Sequence, residues 1–279
     1  MIWQTSRFQI DLTQPRVMGI VNVTPDSFSD GGAYASLSQA LRHAEQLVKE
    51  GADLLDVGGE STRPGSPPVP LDAELERVLP LVRELVKLGV PISVDTYKPE
   101  VMKAALDLGA DIINDIWALR QPGAEAAVAG HPSCGVCLMH MHRDPQSMQV
   151  SPMEGAIVGE VASFLSQRAS ALAKLGVQRS RIALDPGVGF GKTVAQNFSL
   201  LSEQAEFLKL GYPLLVGWSR KSSLGAVTGV ADPSARTTAS VAAALLAAAS
   251  GAHLLRVHDV GPTVEALAVL RAASRNGIQ

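Results

Sequence analysis

The sequence is short of cysteine, of net charge and of long apolar runs, and each shortage removes a class of protein. Only Cys134 and Cys137 occur among 279 residues. Two thiols cannot close a tetrahedral zinc site unaided, and this C-x-x-C leads into an apolar run instead of opening a helix as redox motifs do, so both are expected as reduced core cysteines. A net charge of −3 supplies no global positive field for a nucleic-acid backbone or an anionic membrane. The longest uninterrupted apolar stretch, Val241–Ala249, is about half the roughly 20 residues needed to span a bilayer. Met1–Arg16 has neither a cationic n-region nor an apolar h-region, so no secretion signal is read there and a cytosolic location is expected. What is present is a core-forming composition, 46% hydrophobic and 18% charged, which excludes intrinsic disorder.

Short runs rich in Val, Ile and Leu alternate with longer stretches of helical period, the mark of parallel strands joined by crossover helices. Strands are expected at Val17–Val23, Leu54–Gly58, Pro91–Asp95, Ile112–Ile116, Val136–Met141, Arg181–Asp185, Leu214–Ser219 and Leu254–His258. Helices are expected at Leu37–Glu50, Asp72–Leu88, Pro99–Leu108, Gly123–Ala129, Glu154–Leu175, Asn197–Leu210, Ser234–Ser250 and Thr263–Ala273. Pro99 sits where a first helical turn tolerates it, and Gly51, Gly89, Gly109, Gly176, Gly211 and Gly251 follow helix ends. Eight strands, eight helices and no linker of domain-separating composition give an α/β fold, one (β/α)8 TIM barrel spanning 1–279, with a doubly wound sheet as the alternative. The residues before Val17 read as an extension, a short hairpin with Phe8–Leu12 turning near Gln14-Pro15 over the N-terminal end of the barrel.

Barrels of this kind build their sites where strands run into the following loops. Those positions hold Asn22, Asp56 with Glu60-Ser61-Thr62-Arg63, Asp95, Asn114-Asp115, His140 and His142, Asp185, Ser219-Arg220-Lys221, and Arg256 with His258-Asp259. A single strand-end Asp or Asn often only caps the next helix; all eight strands ending this way points to a site. Thr24–Ala33 and Gly58–Pro70 are rich in Gly, Ser and Pro and long for βα connections, as lids and binding loops are. Asp185–Lys192 (DPGVGFGK) lacks the Walker spacing, so its glycines are read as letting the backbone pass close to a flat ligand, with Phe190 offering a ring face. Cations after the seventh and eighth strands, in Ser219–Ser222 and Arg256-x-His258, suit an anion such as a phosphate. His140-x-His142 places two imidazoles on one side of a strand, which would suit a metal-dependent hydrolase. Such barrels carry their H-x-H on the first strand, where this chain has only Asn22.

Taken together, MGIVNVTPDSFSDGG (Met18–Gly32), DVGGESTRPG (Asp56–Gly65), SVDTYKPEV (Ser93–Val101), INDI (Ile113–Ile116), LMHM (Leu138–Met141), LDPGVGFGK (Leu184–Lys192), PLLVGWSRKS (Pro213–Ser222) and RVHDV (Arg256–Val260) closely resemble the dihydropteroate synthase family. The resemblance runs from Met18 to about Val264. Tyr97, where a small residue is frequent, and Val188, where a larger one often stands, depart from it, and Tyr97 is expected to narrow the approach to the pterin.

That resemblance implies condensation of 6-hydroxymethyl-7,8-dihydropterin diphosphate with 4-aminobenzoate to 7,8-dihydropteroate and pyrophosphate, with Mg²⁺ and with sulfonamides as inhibitors. By the same likeness Asp185, Asp95, Asn114 and Lys221 hold the pterin, and Arg256 stacks on it and reaches the leaving group. Asn22 binds the metal, while Thr62, Arg63, Arg256 and His258 receive the diphosphate. Phe28, Thr62, Pro64, Phe190, Ser219, Lys221 and Ser222 surround 4-aminobenzoate. Arg256, His258, Lys221 and Arg63 are the residues expected to act in catalysis. A homodimer is implied, with the Ala-rich Val241–Ala249 near the interface. A pterin-binding homologue without turnover and a pterin-dependent methyltransferase barrel are the alternatives.

Overall fold

The computed structural model describes residues 1–23, 32–61 and 65–275. Strands β1 (Ile2–Gln4) and β2 (Gln9–Asp11) form an antiparallel hairpin. Eight parallel strands follow: β3 (Arg16–Asn22), β4 (Leu54–Gly58), β5 (Ile92–Asp95), β6 (Ile112–Asp115), β7 (Gly135–Met139), β8 (Ile182–Asp185), β9 (Leu215–Val216) and β10 (Leu254–Val257). Between and after them run α1 (Gly32–Lys49), α2 (Leu71–Leu85), α3 (Pro99–Asp107), α4 (Ala124–Gly130), α5 (Val158–Lys174), α6 (Val194–Ser202), α7 (Ala205–Leu208), α8 (Ser222–Thr228), α9 (Thr237–Ala249) and α10 (Val260–Arg275).

Each strand from β3 to β8 pairs with the next, and β10 joins β9 to β3. A parallel bridge between Leu184 and Leu214 completes the ring, supported by Leu184 N–H donating to the Pro213 carbonyl at 2.9 Å. The doubly wound alternative is thereby excluded, since an open sheet has no such closing pair. Gly109 and Gly176 end their helices with positive φ, 98° and 87°, a conformation that L side chains rarely adopt.

Side chains alternate across each strand, and here the two faces differ in chemistry. Outward residues such as Leu55, Val57, Val94, Ile113, Val136, Ile182 and Leu255 pack beneath the helices in the main core. Inward residues are apolar only at the floor, where Met18, Leu54, Ile112, Cys137, Ala183, Leu215 and Leu254 meet Trp3, Ile10 and Leu12 from the hairpin region. Trp3 is fully buried and its indole N–H donates to the Arg181 carbonyl at 2.9 Å, so the extension plugs the barrel base. The hairpin is therefore real but shifted: its turn lies at Thr5–Phe8, closed by Thr5 N–H to Phe8 O at 2.9 Å, and not near Pro15.

Other boundaries also move. The seventh barrel strand contracts to Leu215–Val216 and the fifth ends at Met139. Expected helix Asn197–Leu210 is two pieces, α6 and α7, and α8 was not expected. Both cysteines are free and buried, as read from the sequence. Within α9, Ala243, Ala244, Ala247 and Ala248 are buried inside the chain's own shell, which accounts for the alanine run without a partner.

Candidate active site

One step above the apolar floor, the inward register turns polar. Asp56 follows Leu54, Asp95 follows Ser93, Asn114 follows Ile112, Asp185 follows Ala183 and Arg256 follows Leu254, each two residues on and so on the same face. Arg256 ties this layer together. Its Nε donates to Asp56 Oδ2 at 2.6 Å and its Nη2 to Asp95 Oδ2 at 2.9 Å. Asn114 Nδ2 donates to the same Asp56 oxygen at 3.1 Å. Asp56 Oδ1 and the hydroxyl of Ser93, on the adjacent strand, are buried without a protein partner among the described residues.

Two carboxylates share one guanidinium, and Asp185 adds a third, so this layer carries more acid than base. Burial raises the Asp95 carboxyl; Arg256 opposes the shift and Asp56 adds to it. Burial likewise raises Asp185 to about 6, although its Oδ1 accepts the Gly187 N–H at 2.7 Å and Lys221 and Lys192 lie near. Burial alone would weaken the charge on Arg256, but Asp56 and Asp95 outweigh it and hold the guanidinium firmly protonated. The pocket can thus receive a flat, N–H-rich edge from a ligand, with acceptors spread over four strands.

Beside this layer stand the basic residues. Lys221 Nζ lies 4.2 Å from the Phe190 ring centroid, a cation–π pair. Burial and the proximity of Arg256 lower its pKa. Ser219 and His258 are joined twice: Ser219 Oγ accepts the His258 backbone N–H at 3.1 Å and lies 3.0 Å from His258 Nδ1. Ser222 is the exposed first residue of α8. Arg220 does not share the pocket's charge, because it is paired with Asp259 at 2.7 Å. Asn22 ends β3, half-buried, with its Oδ1 beside Gly58, where an added Cβ would sit 3.4 Å away. Phe28, Thr62, Arg63 and Pro64, and the loop tips that carry them, lie outside the described residues.

The loop Asp185–Lys192 is shaped by protein contacts. A Cβ on Gly187 would fall 1.9 Å from the His140 carbonyl oxygen, one on Gly191 2.6 Å from His142 Cβ, and one on Gly189 3.1 Å from Lys221 Cδ. Its glycines therefore let the backbone approach the end of β7 and Lys221. One imidazole of the H-x-H pair is engaged by a lysine. Burial, with Lys192 next, lowers His140 to about 2, and its Nδ1 lies 3.0 Å from Lys192 Nζ. Among the described residues no three His, Cys, Asp or Glu side chains are grouped to hold a metal.

Three things escaped the sequence reading. Asp56 stood among the strand-end residues without a role, although its inward register beside Asp95 and Asn114 was readable. Lys192 reads in the sequence as no more than the end of a glycine loop. Lys98 donates to both Glu60 and Glu74, while Tyr97 OH donates to Glu60 at 2.9 Å and Thr96 Oγ1 to Glu74 at 2.6 Å. Tyr97 also sets its ring edge-on to Trp117 at 6.4 Å, so it packs between the loops after β4 and β6.

A family model for pterin binding enzymes matches residues 18–258. A dihydropteroate synthase of Neisseria meningitidis serogroup C is 50% identical over 278 residues, covering 99% of this chain and 98% of that one. This chain belongs to the dihydropteroate synthase family. Among solved structures, Burkholderia cenocepacia dihydropteroate synthase complexed with 7,8-dihydropteroate superposes with a TM-score of 0.89 at 51% identity, covering 99% and 98% of the two chains. Yersinia pestis dihydropteroate synthase in a sulfonamide drug complex gives 0.93 at 44% identity, covering 99% and 100%.

Proposed function

We propose that this chain joins 6-hydroxymethyl-7,8-dihydropterin diphosphate to 4-aminobenzoate. The amine nitrogen bonds to the pterin methylene carbon, the C–O bond breaks, pyrophosphate leaves with the electron pair and the amine loses a proton. The observation that carries the reading is the Asp56–Arg256–Asp95 linkage, with Asn114 and Asp185 beside it, at the mouth of a barrel whose floor is apolar.

The chemistry asks little of a nucleophile or base, because an electron-rich dihydropterin stabilises the developing methylene cation. Asp185 accepts the donor edge of the pterin in a fork, Asp95 and Asn114 take the remaining ring nitrogens, and Lys221 donates toward the ring carbonyl side. Arg256, held in plane by its two carboxylates, lays its guanidinium against the ring. Charge grows on the departing diphosphate, and Arg256 and His258, with Thr62 and Arg63 by likeness to the family, are its donors, which lowers the barrier most if they are fixed in advance. Ser219 and Ser222, with Phe28, Pro64, Phe190 and the Lys221 stem, form the 4-aminobenzoate side, and a sulfonamide takes the same place.

Asn22 offers one neutral oxygen, and no acidic cluster accompanies it among the described residues. That donor set fits Mg²⁺ held largely by substrate phosphates and water, since Mg²⁺ dehydrates reluctantly and seldom needs an all-protein cage. When bound, the ion neutralises charge on the diphosphate. We further propose a single barrel domain over 1–279, a cytoplasmic location and a homodimer. No helix of the described residues is long and apolar enough to cross a membrane. Leu246 and Val269, exposed on α9 and α10, support the dimer reading. The experiment is steady-state turnover with both substrates and Mg²⁺, following dihydropteroate and pyrophosphate together. Pterin binding without either product would favour the non-catalytic homologue.

A further inference from the structure

Lys192 is 2% exposed and follows the glycine loop that leaves β8. Its Nζ lies 2.8 Å from the Gly187 carbonyl oxygen, 3.1 Å from that of Phe190, 3.3 Å from that of His140 and 3.0 Å from His140 Nδ1. Three ammonium protons thus meet four acceptors drawn from both ends of one loop and from the end of the neighbouring strand. A buried cation is tolerated only when it is so satisfied. Removing it would leave the His140 carbonyl without a donor among the described residues, and the Gly187 and Phe190 carbonyls with one backbone donor each, Phe190 N–H at 3.1 Å and His142 N–H at 3.5 Å.

What these carbonyls belong to matters more than the cage. Gly187 donates its N–H to Asp185 Oδ1 at 2.7 Å, so gripping the Gly187 carbonyl also orients the Asp185 carboxylate. Phe190 carries the ring under Lys221 Nζ, so gripping the Phe190 carbonyl fixes the surface on which Lys221 rests. Gly187, at φ 71°, has room for no side chain against His140, so its backbone comes within reach of Lys192. Its hydrogen-bond partners are His140, Gly187 and Phe190, none of them through a side chain assigned to a substrate.

We propose that Lys192 is a positioning residue for the reaction: its ammonium draws the Gly187, Phe190 and His140 carbonyls together and thereby presets Asp185 for the pterin and the Phe190–Lys221 pair for the second substrate. The charged and titratable groups around it are Asp185 from β8, Lys221 before α8, and His140 and His142 after β7. Burial lowers Lys192 to about 7, with Asp185 opposing the shift and Lys221 assisting it.

This rests on the dihydropteroate reading for the identity of the substrates, and its test has one arm that needs no turnover. Lys192→Met keeps the stem and removes the donors. Hydrogen exchange of the full-length variant should show lost protection confined to amides 187–191 and to His140, with the remaining barrel unchanged. Kinetically, kcat/KM for the pterin diphosphate should fall tenfold or more, with KM for both substrates raised. Wild-type exchange in the loop, or a lower melting temperature with both KM values and kcat unchanged, would overturn the proposal. Should Lys192→Met fail to give the barrel's circular dichroism, Lys192→Gln, which keeps two N–H donors, takes the same two measurements and is expected to fall between the wild type and full loss. A wild-type chain that forms no dihydropteroate would sink the assigned reaction and leave the exchange result to judge the loop.

Discussion

Arg256 donates to Asp56 at 2.6 Å across 200 residues of sequence, joining the last barrel strand to the second. The pair makes the cation part of the barrel wall: Asp56 is fully buried and Arg256 about one-fifth exposed. Two consequences separate cleanly on mutation. Arg256→Ala removes a charge from where charge develops, so kcat/KM should fall by at least about 100-fold, on the scale of losing one preorganised donor. It also strands Asp56 and Asp95, and breaking a buried pair costs about 3–5 kcal/mol. Adding Asp56→Asn to that variant should restore part of the stability and none of the activity. Urea denaturation and turnover on the two variants check both halves, and a single variant as active as the wild type would remove Arg256 from the mechanism.

Lys98 holds two carboxylates, Glu60 and Glu74, and Glu74 is almost wholly buried. Lys98→Met leaves Glu74, among the described residues, with only the Thr96 hydroxyl, so the variant should lose about 3–5 kcal/mol of stability by the same reasoning. Pairing it with Glu74→Gln should recover most of that loss, because the stranded charge has gone. Denaturation midpoints for the single and double variants decide it; additive losses would show that Lys98 contributes by packing alone.

Asp185→Asn turns one acceptor into a donor that faces an N–H edge. Pterin binding should weaken by about 2 kcal/mol or more, as for a lost hydrogen bond to a charged group. Calorimetry with a pterin alone isolates this step from the anion and the second substrate. Unchanged affinity would move the pterin elsewhere in the barrel mouth.

The barrel was legible because its strands are buried on both faces and so read as short apolar runs between helical periods. Its inner polar layer was legible as well, since Asp56, Asp95, Asn114, Asp185 and Arg256 stand at strand ends in register. What could not be read was pairing. Nothing in the spacing tells that Arg256 prefers Asp56 and Asp95 while Arg220 turns to Asp259, because those choices depend on strand stagger and on a left-handed backbone at Arg220, φ 61°. The protein neighbours of the Asp185–Lys192 glycines are hidden from the sequence for a similar reason: His140, His142 and Lys221 come from other strands. Short β9 escaped because Gly217 and Trp218 continue the apolar run after the ladder has ended.

The pH dependence of ligand binding should run opposite to that of the unliganded fold, and Asp185 supplies the reason. Burial raises its carboxyl to about 6 from an ordinary 3.8. A carboxyl raised in the folded state favours folding while protonated, and that contribution is lost as pH rises through the folded value. Between about pH 4 and 6 the unliganded protein should therefore lose stability from this group, on the order of 3 kcal/mol. Asp115, raised by burial to about 7, acts in the same direction, so Asp185→Asn should flatten the curve only in part. The pterin, in contrast, needs the ionised carboxylate to accept its N–H groups. Affinity should fall about tenfold for each unit below pH 6, with close to one proton released on binding at pH 5. Calorimetry at pH 5 and 7.5, in buffers of different ionisation enthalpy, measures both quantities. Equal affinity at the two values, with no proton released, would mean that Asp185 binds the pterin as a neutral acid and that the assignment of acceptor and donor must be reversed.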